Sequence, residues 1–439
     1  MNTIPNIPQT DRKRIVIIGG GFAGLKLARK LMKSHFQVVL FDKNNYHQFQ
    51  PLFYQVATAG LEPSAISFPL RKVFQEQKHL HFRVATVEHI DPQQQEVFTD
   101  LGKLKYDYLV LAIGATTNYF GNIEIEEHAV PMKSLSEALA LRNTILSHFE
   151  KALNESSTSE MQTLMNIVVV GGGPTGVELA GAIAEMRKFI LPKDYPELDF
   201  SKMEVSLLEA GPKVLNGYSE VSSSKAKVYL EQLGVNVQTG AMVQDYDGTT
   251  VTLKDGRQLH TRTLIWAAGV KANEIAGIPA AAYGRSRRLL VDQQNRVKGL
   301  NNVFAIGDLA YMETTEYPQG HPQVAQVAIQ QANLLFHNLR NIETGKALLP
   351  FTYKDKGSLA TVGRNLAVAD LPFLHFQGFL AWVLWLFVHL MSIVGVKNRL
   401  FVFINWAWSY FTYDQSLRLL INPKREKEKP SEKKAVAIK

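Results

Sequence analysis

Short β-branched runs recur along the chain and stop at glycine. RIVIIGGG begins at Arg14, VVLFD ends at Asp42 and YLVLAIGA spans Tyr108 to Ala115; NIVVVGGG begins at Asn166, VSLLE ends at Glu209 and TLIWAAGV spans Thr263 to Val270. Runs that are apolar at nearly every position and end in a tight turn predict parallel strands buried on both faces. Helical spacing follows each triple glycine, as in FAGLKLARKL from Phe22, so strands and helices alternate and the predicted class is α/β. The whole order occurs twice, which predicts two Rossmann-like dinucleotide-binding units in one chain.

VFAIGD, from Val303 to Asp308, follows the last strand of the second unit and is assigned back to the first, making the second unit an insertion. The expected segments are 12–120 and 271–345 for the first domain, 121–165 for a connector and 166–270 for the inserted domain. A C-terminal region over 346–421 and a basic tail over 422–439 complete the chain. Within the connector, the polar run from Asn154 to Gln162 is the best linker candidate.

Composition narrows the chemistry. The 439 residues carry 48 basic and 40 acidic groups, a formal +8, and no cysteine. Without thiolates, redox disulfides, iron–sulfur clusters and Cys-ligated zinc are excluded, so electron transfer requires a bound cofactor. Seven basic residues against three acidic between Lys424 and Lys439 place half of the excess charge in the tail. That suits a lipid surface, and no nucleic-acid partner is expected. The first residues, MNTIPNIPQTDRKR, have no signal-peptide run and read as a disordered lead-in.

GGGFAG sets Gly19, Gly21 and Gly24 in the G-x-G-x-x-G spacing between strand and helix. One glycine makes the turn, the next admits a pyrophosphate to the backbone amides, and the third lets helix and strand pack closely. Asp42, 23 residues after Gly19, is placed to accept ribose hydroxyls. GGGPTG repeats the device at Gly171, Gly173 and Gly176, with Glu209 as its acid 38 residues beyond Gly171. The excess spacing is assigned to an extended helix end and loop over Met186 to Met203. If Glu209 reaches the ribose, its charge repels an added phosphate and favours NADH over NADPH; the other reading is a strand-end carboxylate in solvent. Two such sites suggest resident FAD and a visiting nicotinamide nucleotide whose rings must meet for hydride transfer.

On these residues, together with FQPLFYQVATAGL (Phe49 to Leu61), LAIGATTNYFG (Leu111 to Gly121), AIGD (Ala305 to Asp308) and AQVAIQ (Ala325 to Gln330), the chain resembles the type II NADH:quinone oxidoreductases. The resemblance runs from about Arg14 to Ile421. It implies a glutathione-reductase-like arrangement of the two Rossmann-like domains, with a C-terminal membrane-associated helical segment. It also implies FAD, NADH and quinone as cofactor and substrates, and a flavin contact by Asp308 and by the loop around Gly114. Gln326 and Gln330 are implied beside the flavin ring at the quinone site. Four residues apart, they share a helix face with small neighbours Ala325 and Ala328; without the resemblance the pattern reads equally as a polar packing face.

Glu178, two residues past Gly176, is implied near the nicotinamide and flavin as a proton relay or ring-orienting acid. The other reading is a first-turn acid on the helix dipole. Glu185, two turns on, reads as a solvated residue. His47 and His389 read first as hydrogen-bonded structural histidines, with a proton donor to reduced quinone as the other reading of either, and no histidine spacing suggests a metal.

From Gly378 to Val396 the chain is apolar except at His389 and Ser392; Leu400 to Phe411 follows, too short to span. Trp382, Trp385, Trp406, Trp408 and Tyr410 suit an interfacial depth. The favoured reading is two helices lying on the membrane, against a spanning first helix or burial in a dimer. A homodimer on the cytoplasmic face of the cell inner membrane is expected. The expected reaction is transfer of hydride from NADH to FAD and of two electrons onward to quinone, without ion pumping. Rival readings are a redox sensor with little turnover, or a ferredoxin-type reductase, which leaves the apolar end unexplained.

Overall fold

A computed structural model describes residues 2–413 and 417–421; the basic tail expected over 422–439 lies outside the described residues. The first sheet has five parallel strands in the order Val303–Ala305, Tyr108–Leu111, Arg14–Ile18, Gln37–Asp42, Leu80–Val84. Its outer strand is supplied after the second domain, with Phe304 opposite Val110. The second sheet repeats the plan: Val130–Pro131, Thr263–Trp266, Ile167–Val170, Val205–Glu209, Val235–Thr239, again all parallel. A three-stranded antiparallel sheet accompanies each, over Val87–Lys105 and Val243–His260. The repeat in sequence is thus a repeat of whole domains.

Three expectations change. Part of the connector belongs to the second sheet, because Val130 pairs with Ile265. The linker candidate is largely helical: Ser157 caps the helix Thr158–Met165 through Glu160 N. The crossing between domains instead runs through the antiparallel pair Ala115–Thr117 and Val270–Ala272. The lead-in is also ordered. Ile4 and Ile7 are buried, Ile4 N–H donates to Lys103 O at 3.1 Å, and Pro8 O accepts from Gln37 Nε2 at 2.7 Å. Two apolar residues in a polar stretch were enough to anchor it against the first domain's antiparallel sheet.

A third antiparallel sheet, Ser358–Gly363, Leu366–Leu371 and Leu374–Gln377, precedes two helices, Phe379–Ser392 and Val396–Thr412. Its first strand lies on the helix Pro174–Phe189 of the second domain. Gly181 makes that approach possible, since a Cβ there would stand 1.7 Å from Val362 O. At 14 residues the first C-terminal helix is about 21 Å long, short of a hydrocarbon core of about 30 Å. Among the described residues no helix is long and apolar enough to cross a membrane.

Candidate functional site

The two glycine loops are alike position by position. Gly19 has φ +103° and a Cβ there would strike Ala112 O; Gly171 has φ +110° and a Cβ would strike Ala267 O. At Gly24 and Gly176 a Cβ would fall within 2 Å of Gly19 O and Gly171 O, respectively, so both helices pack on their own turns. Gly21 and Gly173 differ from these, because a Cβ at either meets nothing within 4 Å. They face open space at the start of the helices Phe22–Leu31 and Pro174–Phe189, neither of which has a side-chain cap. Uncapped first-turn N–H groups beside an open glycine form a cradle for phosphate. Gly114, with φ +67°, is likewise open.

Each cradle has its carboxylate in place. Asp42 accepts from Gly20 N at 2.6 Å and Asn44 N at 2.7 Å, and burial raises its pKa. Glu209 accepts from Gly172 N and Gly211 N, both at 2.6 Å. Its longer spacing comes from a helix that runs on to Phe189, a short helix Leu191–Asp194 and a loop before Val205. The residues of the first cradle fit FAD: an open position at Gly21, the Asp42 carboxylate held against the loop, and an acidic turn at Gly307–Leu309 carrying Asp308. Lys133, which no motif singled out, reaches Asp308 Oδ2 at 3.6 Å.

Glu178 lies in a cleft enclosing about 870 Å³, open solvent at its mouth included, between the second domain and the C-terminal helices. Tyr54 from the helix Phe53–Ala57 and Trp385 and Trp406 from the C-terminal helices contribute to the walls. Trp385 Nε1 donates to Glu178 Oε1 at 3.2 Å, and Thr361 N–H also bonds the carboxyl group. These bonds favour the ionised form, but burial outweighs them and the pKa is pushed up to about 8. Gln55 Nε2 donates to the Tyr54 hydroxyl at 2.7 Å, while its Oε1 accepts from Trp406 Nε1 at 2.7 Å. Burial and the neighbouring Glu178 raise the Tyr54 pKa well above its usual value.

Glu185 corrects an expectation. It lines the same cleft rather than open solvent, accepts from Arg364 N at 2.7 Å, and has its pKa raised by burial. The strand Ser358–Gly363 covers this stretch of helix, which helical periodicity cannot reveal. Trp385 corrects another: it is 1% exposed and packed on Tyr54, whereas Trp408 is 61% exposed. Arg364 then ties the cleft to the last helix. Its guanidinium donates to Ser409 O and Tyr410 O, both at 2.8 Å, and lies over the Tyr413 ring.

Gln326 and Gln330 do not line that cleft. Both sit on the helix Ala325–Glu343 and hold one passing segment. Gln326 donates to Gly357 O at 3.0 Å and accepts from Lys356 N at 3.1 Å; Gln330 donates to Lys354 O at 2.9 Å and accepts from Lys354 N at 3.0 Å. Each amide keeps a second N–H and a second lone pair. Near this helix start, Gln323 Nε2 donates to Asp308 O at 3.0 Å. His47 Nδ1 pairs with Gly20 O at 3.0 Å, and His389 Nδ1 with Trp385 O at 2.8 Å; burial pushes the His389 pKa down to about 4. Among the described residues no group of His, Asp and Glu is arranged to hold a metal.

The C-terminal helices also present apolar side chains to water. Phe387, Val396, Phe403, Trp408 and Phe411 are all exposed.

Comparison with known proteins agrees with both parts of this layout. Residues 13–332 match the pyridine nucleotide-disulphide oxidoreductase model, and residues 356–412 match the NDH2 C-terminal domain. A type II NADH:quinone oxidoreductase of Mycobacterium tuberculosis is 37% identical, over 93% of this chain and 90% of that one. An external alternative NADH-ubiquinone oxidoreductase of Yarrowia lipolytica mitochondria is 28% identical, over 90% and 79%. In fold, the chain is similar to NDH2 of Plasmodium falciparum solved with NADH, with a TM-score of 0.86 at 24% identity over 94% of this chain and 100% of that one. The likeness to a sulfide:quinone oxidoreductase of Aquifex aeolicus is lower, at a TM-score of 0.68 and 18% identity over 92% and 96%. With two glycine loops set alike between strand and helix, a C-terminal unit seated on the helix Pro174–Phe189, and these matches over nearly the whole length, the chain belongs to the type II NADH:quinone oxidoreductases.

Proposed function

We propose an assignment of residues for the reaction of this family, electron transfer from NADH to a quinone without proton pumping. The observation that carries it is the pair of matching open positions at Gly21 and Gly173, each with its acid held by the loop. FAD, bound along Gly19, Gly21, Gly24, Asp42, Gly114 and Asp308, supplies a two-electron carrier between donor and acceptor. Gly171, Gly173 and Gly176 receive the NADH pyrophosphate on backbone N–H groups, and Glu209 accepts from the adenosine ribose.

Glu178 is the group that holds a proton. At neutral pH its carboxyl is protonated by burial, and the Trp385 and Thr361 donors fix its orientation. Gln326 and Gln330 act at the quinone end: one side of each amide braces the 354–357 segment and the other is left for a quinone carbonyl. The exposed aromatic face of the C-terminal helices sits on a lipid surface at the cytoplasmic face of the inner membrane, with their polar anchor Arg364 turned inward. From there a lipid-soluble acceptor is close while NADH arrives from water. A homodimer is part of the same reading.

Stopped-flow kinetics test the assignment. Gln326→Ala is expected to slow flavin reoxidation by quinone more than flavin reduction by NADH, and the opposite order removes Gln326 from the acceptor site. Sedimentation of the full chain without lipid decides between dimer and monomer.

A further inference from the structure

Just past the crossing strand Ala115–Thr117 stands Phe120, which neither the glycine loops nor the Glu178 cleft uses. The residue is 68% exposed, yet its backbone is held on both sides. Phe120 N–H donates to Asn118 Oδ1 at 2.9 Å, Asn118 N–H donates to Gly269 O at 3.1 Å, and Trp266 Nε1 donates to Asn118 O at 2.8 Å. Tyr119 is buried and stacked on Trp266. On the other side, Asn122 accepts from Ile125 N, capping the helix Ile123–His128, and donates to Gln244 O.

Between these anchors Phe120 has φ +54°, a left-handed conformation that disfavours any residue with a Cβ. The chain turns Tyr119 inward and the Phe120 ring outward, at a cost in both strain and exposed apolar area. Strained positions of this kind gather at ligand clamps. The location agrees. A Cβ at Gly269 would stand 3.2 Å from Phe120 Cζ, and Gly269 ends the loop whose Ala267 carbonyl lies against Gly171. Phe120 therefore stands at the carboxyl ends of the second sheet, beside the loop that packs against Gly171, where sheets of this topology take their ligands.

We infer that Phe120 is a binding residue for the reduced pyridine dinucleotide, its ring covering the nucleotide held on the Gly171–Gly173 loop and stacking on a planar ring of that ligand. The inference rests on the assignment of this loop to NADH. Stacking does not read the ribose phosphate, so Phe120 strengthens NADH and NADPH binding alike, while Glu209 discriminates between them.

The experiment is flavin reduction in the FAD-loaded enzyme, followed by stopped flow against NADH and NADPH concentration. Phe120→Ala should raise the apparent Kd of both nucleotides roughly tenfold, with the limiting rate and the quinone KM unchanged. Phe120→Tyr should restore the parent Kd, and Glu209→Ala should narrow the ratio between the two nucleotides. An unchanged Kd in Phe120→Ala overturns the inference, as does a loss confined to the limiting rate. Gly173→Val separates the two levels: weakened binding there with Phe120→Ala silent removes Phe120 alone, and silence in both removes the site assignment.

Discussion

At the scale of single residues, Glu178 carries the clearest consequence. Two N–H donors do not offset its burial, and its pKa stands at about 8, well above the ordinary carboxylate range. In the unfolded chain the group ionises at ordinary carboxylate pH; in the folded protein it keeps its proton up to about pH 8. Folding therefore takes up a proton between those values, so the stability from this site is full below the unfolded pKa and is lost as pH rises through the folded one. Glu178→Gln removes the ionisation while keeping an acceptor for Trp385. Its melting temperature should exceed the parent's by more at about pH 9 than at about pH 5, and equal differences at both would contradict the shift. Quinone-dependent turnover of the parent should decline through about pH 8, and the variant should lose that limb. The sequence placed Glu178 one turn into a helix, but not its environment. Trp385, 207 residues away, provides the donor, and no local pattern encodes a contact of that separation. The same holds for Glu185, read from its helix as solvated and found under a strand.

At the scale of elements, the legible parts are those whose chemistry is local. Strand, glycine turn, helix and acid follow one another along the chain, and sequence spacing already expresses the backbone conflicts that require Gly19, Gly24, Gly171 and Gly176 and the open positions at Gly21 and Gly173. The connector and the lead-in were misread because polar composition was taken for looseness, whereas a Ser cap and two buried isoleucines supplied order. One element contact governs the cleft: the strand Ser358–Gly363 against the helix Pro174–Phe189. It places Thr361 N at Glu178 and Arg364 N at Glu185, and it depends on the missing side chain at Gly181. Gly181→Ala puts a methyl group 1.7 Å from Val362 O. The contact is backbone, so the strand must move as a whole, a strain of about 1–3 kcal/mol. Urea unfolding should register that loss. Because the strand is one of the walls that bury Glu178, the high-pH limb of turnover should also shift toward ordinary carboxylate values. A stable variant with an unchanged pH profile would show that the strand is not what holds the proton.

At the scale of the whole molecule, the C-terminal helices have a buried side as well as the exposed face proposed for lipid, a division the sequence did not present. Their apolar run read as a membrane element throughout, yet Trp385, Ile393 and Val402 are buried in the same core that contains Val177 and Tyr54. Cutting the chain before Gly378 would open that core and remove the Trp385 donor, so a truncation confuses anchoring with cleft integrity. Surface substitutions separate them. Phe387 and Phe403 are exposed, one on each helix, and neither borders the cleft. Moving a phenylalanine side chain from water to an apolar phase contributes about 1.5–3 kcal/mol, and an aspartate in its place resists entry. Phe387→Asp with Phe403→Asp should therefore leave vesicles of anionic phospholipid for the supernatant. Flavin reduction by NADH should persist at the parent rate, because the two cradles and Glu178 are untouched. Turnover with a long-chain quinone held in those vesicles should fall, while turnover with a short-chain, water-soluble quinone should not. Co-sedimentation with vesicles unchanged by both substitutions would place the lipid contact elsewhere on the molecule. Equal losses with the two quinones would mean that the face shapes the acceptor site itself rather than its access to the bilayer.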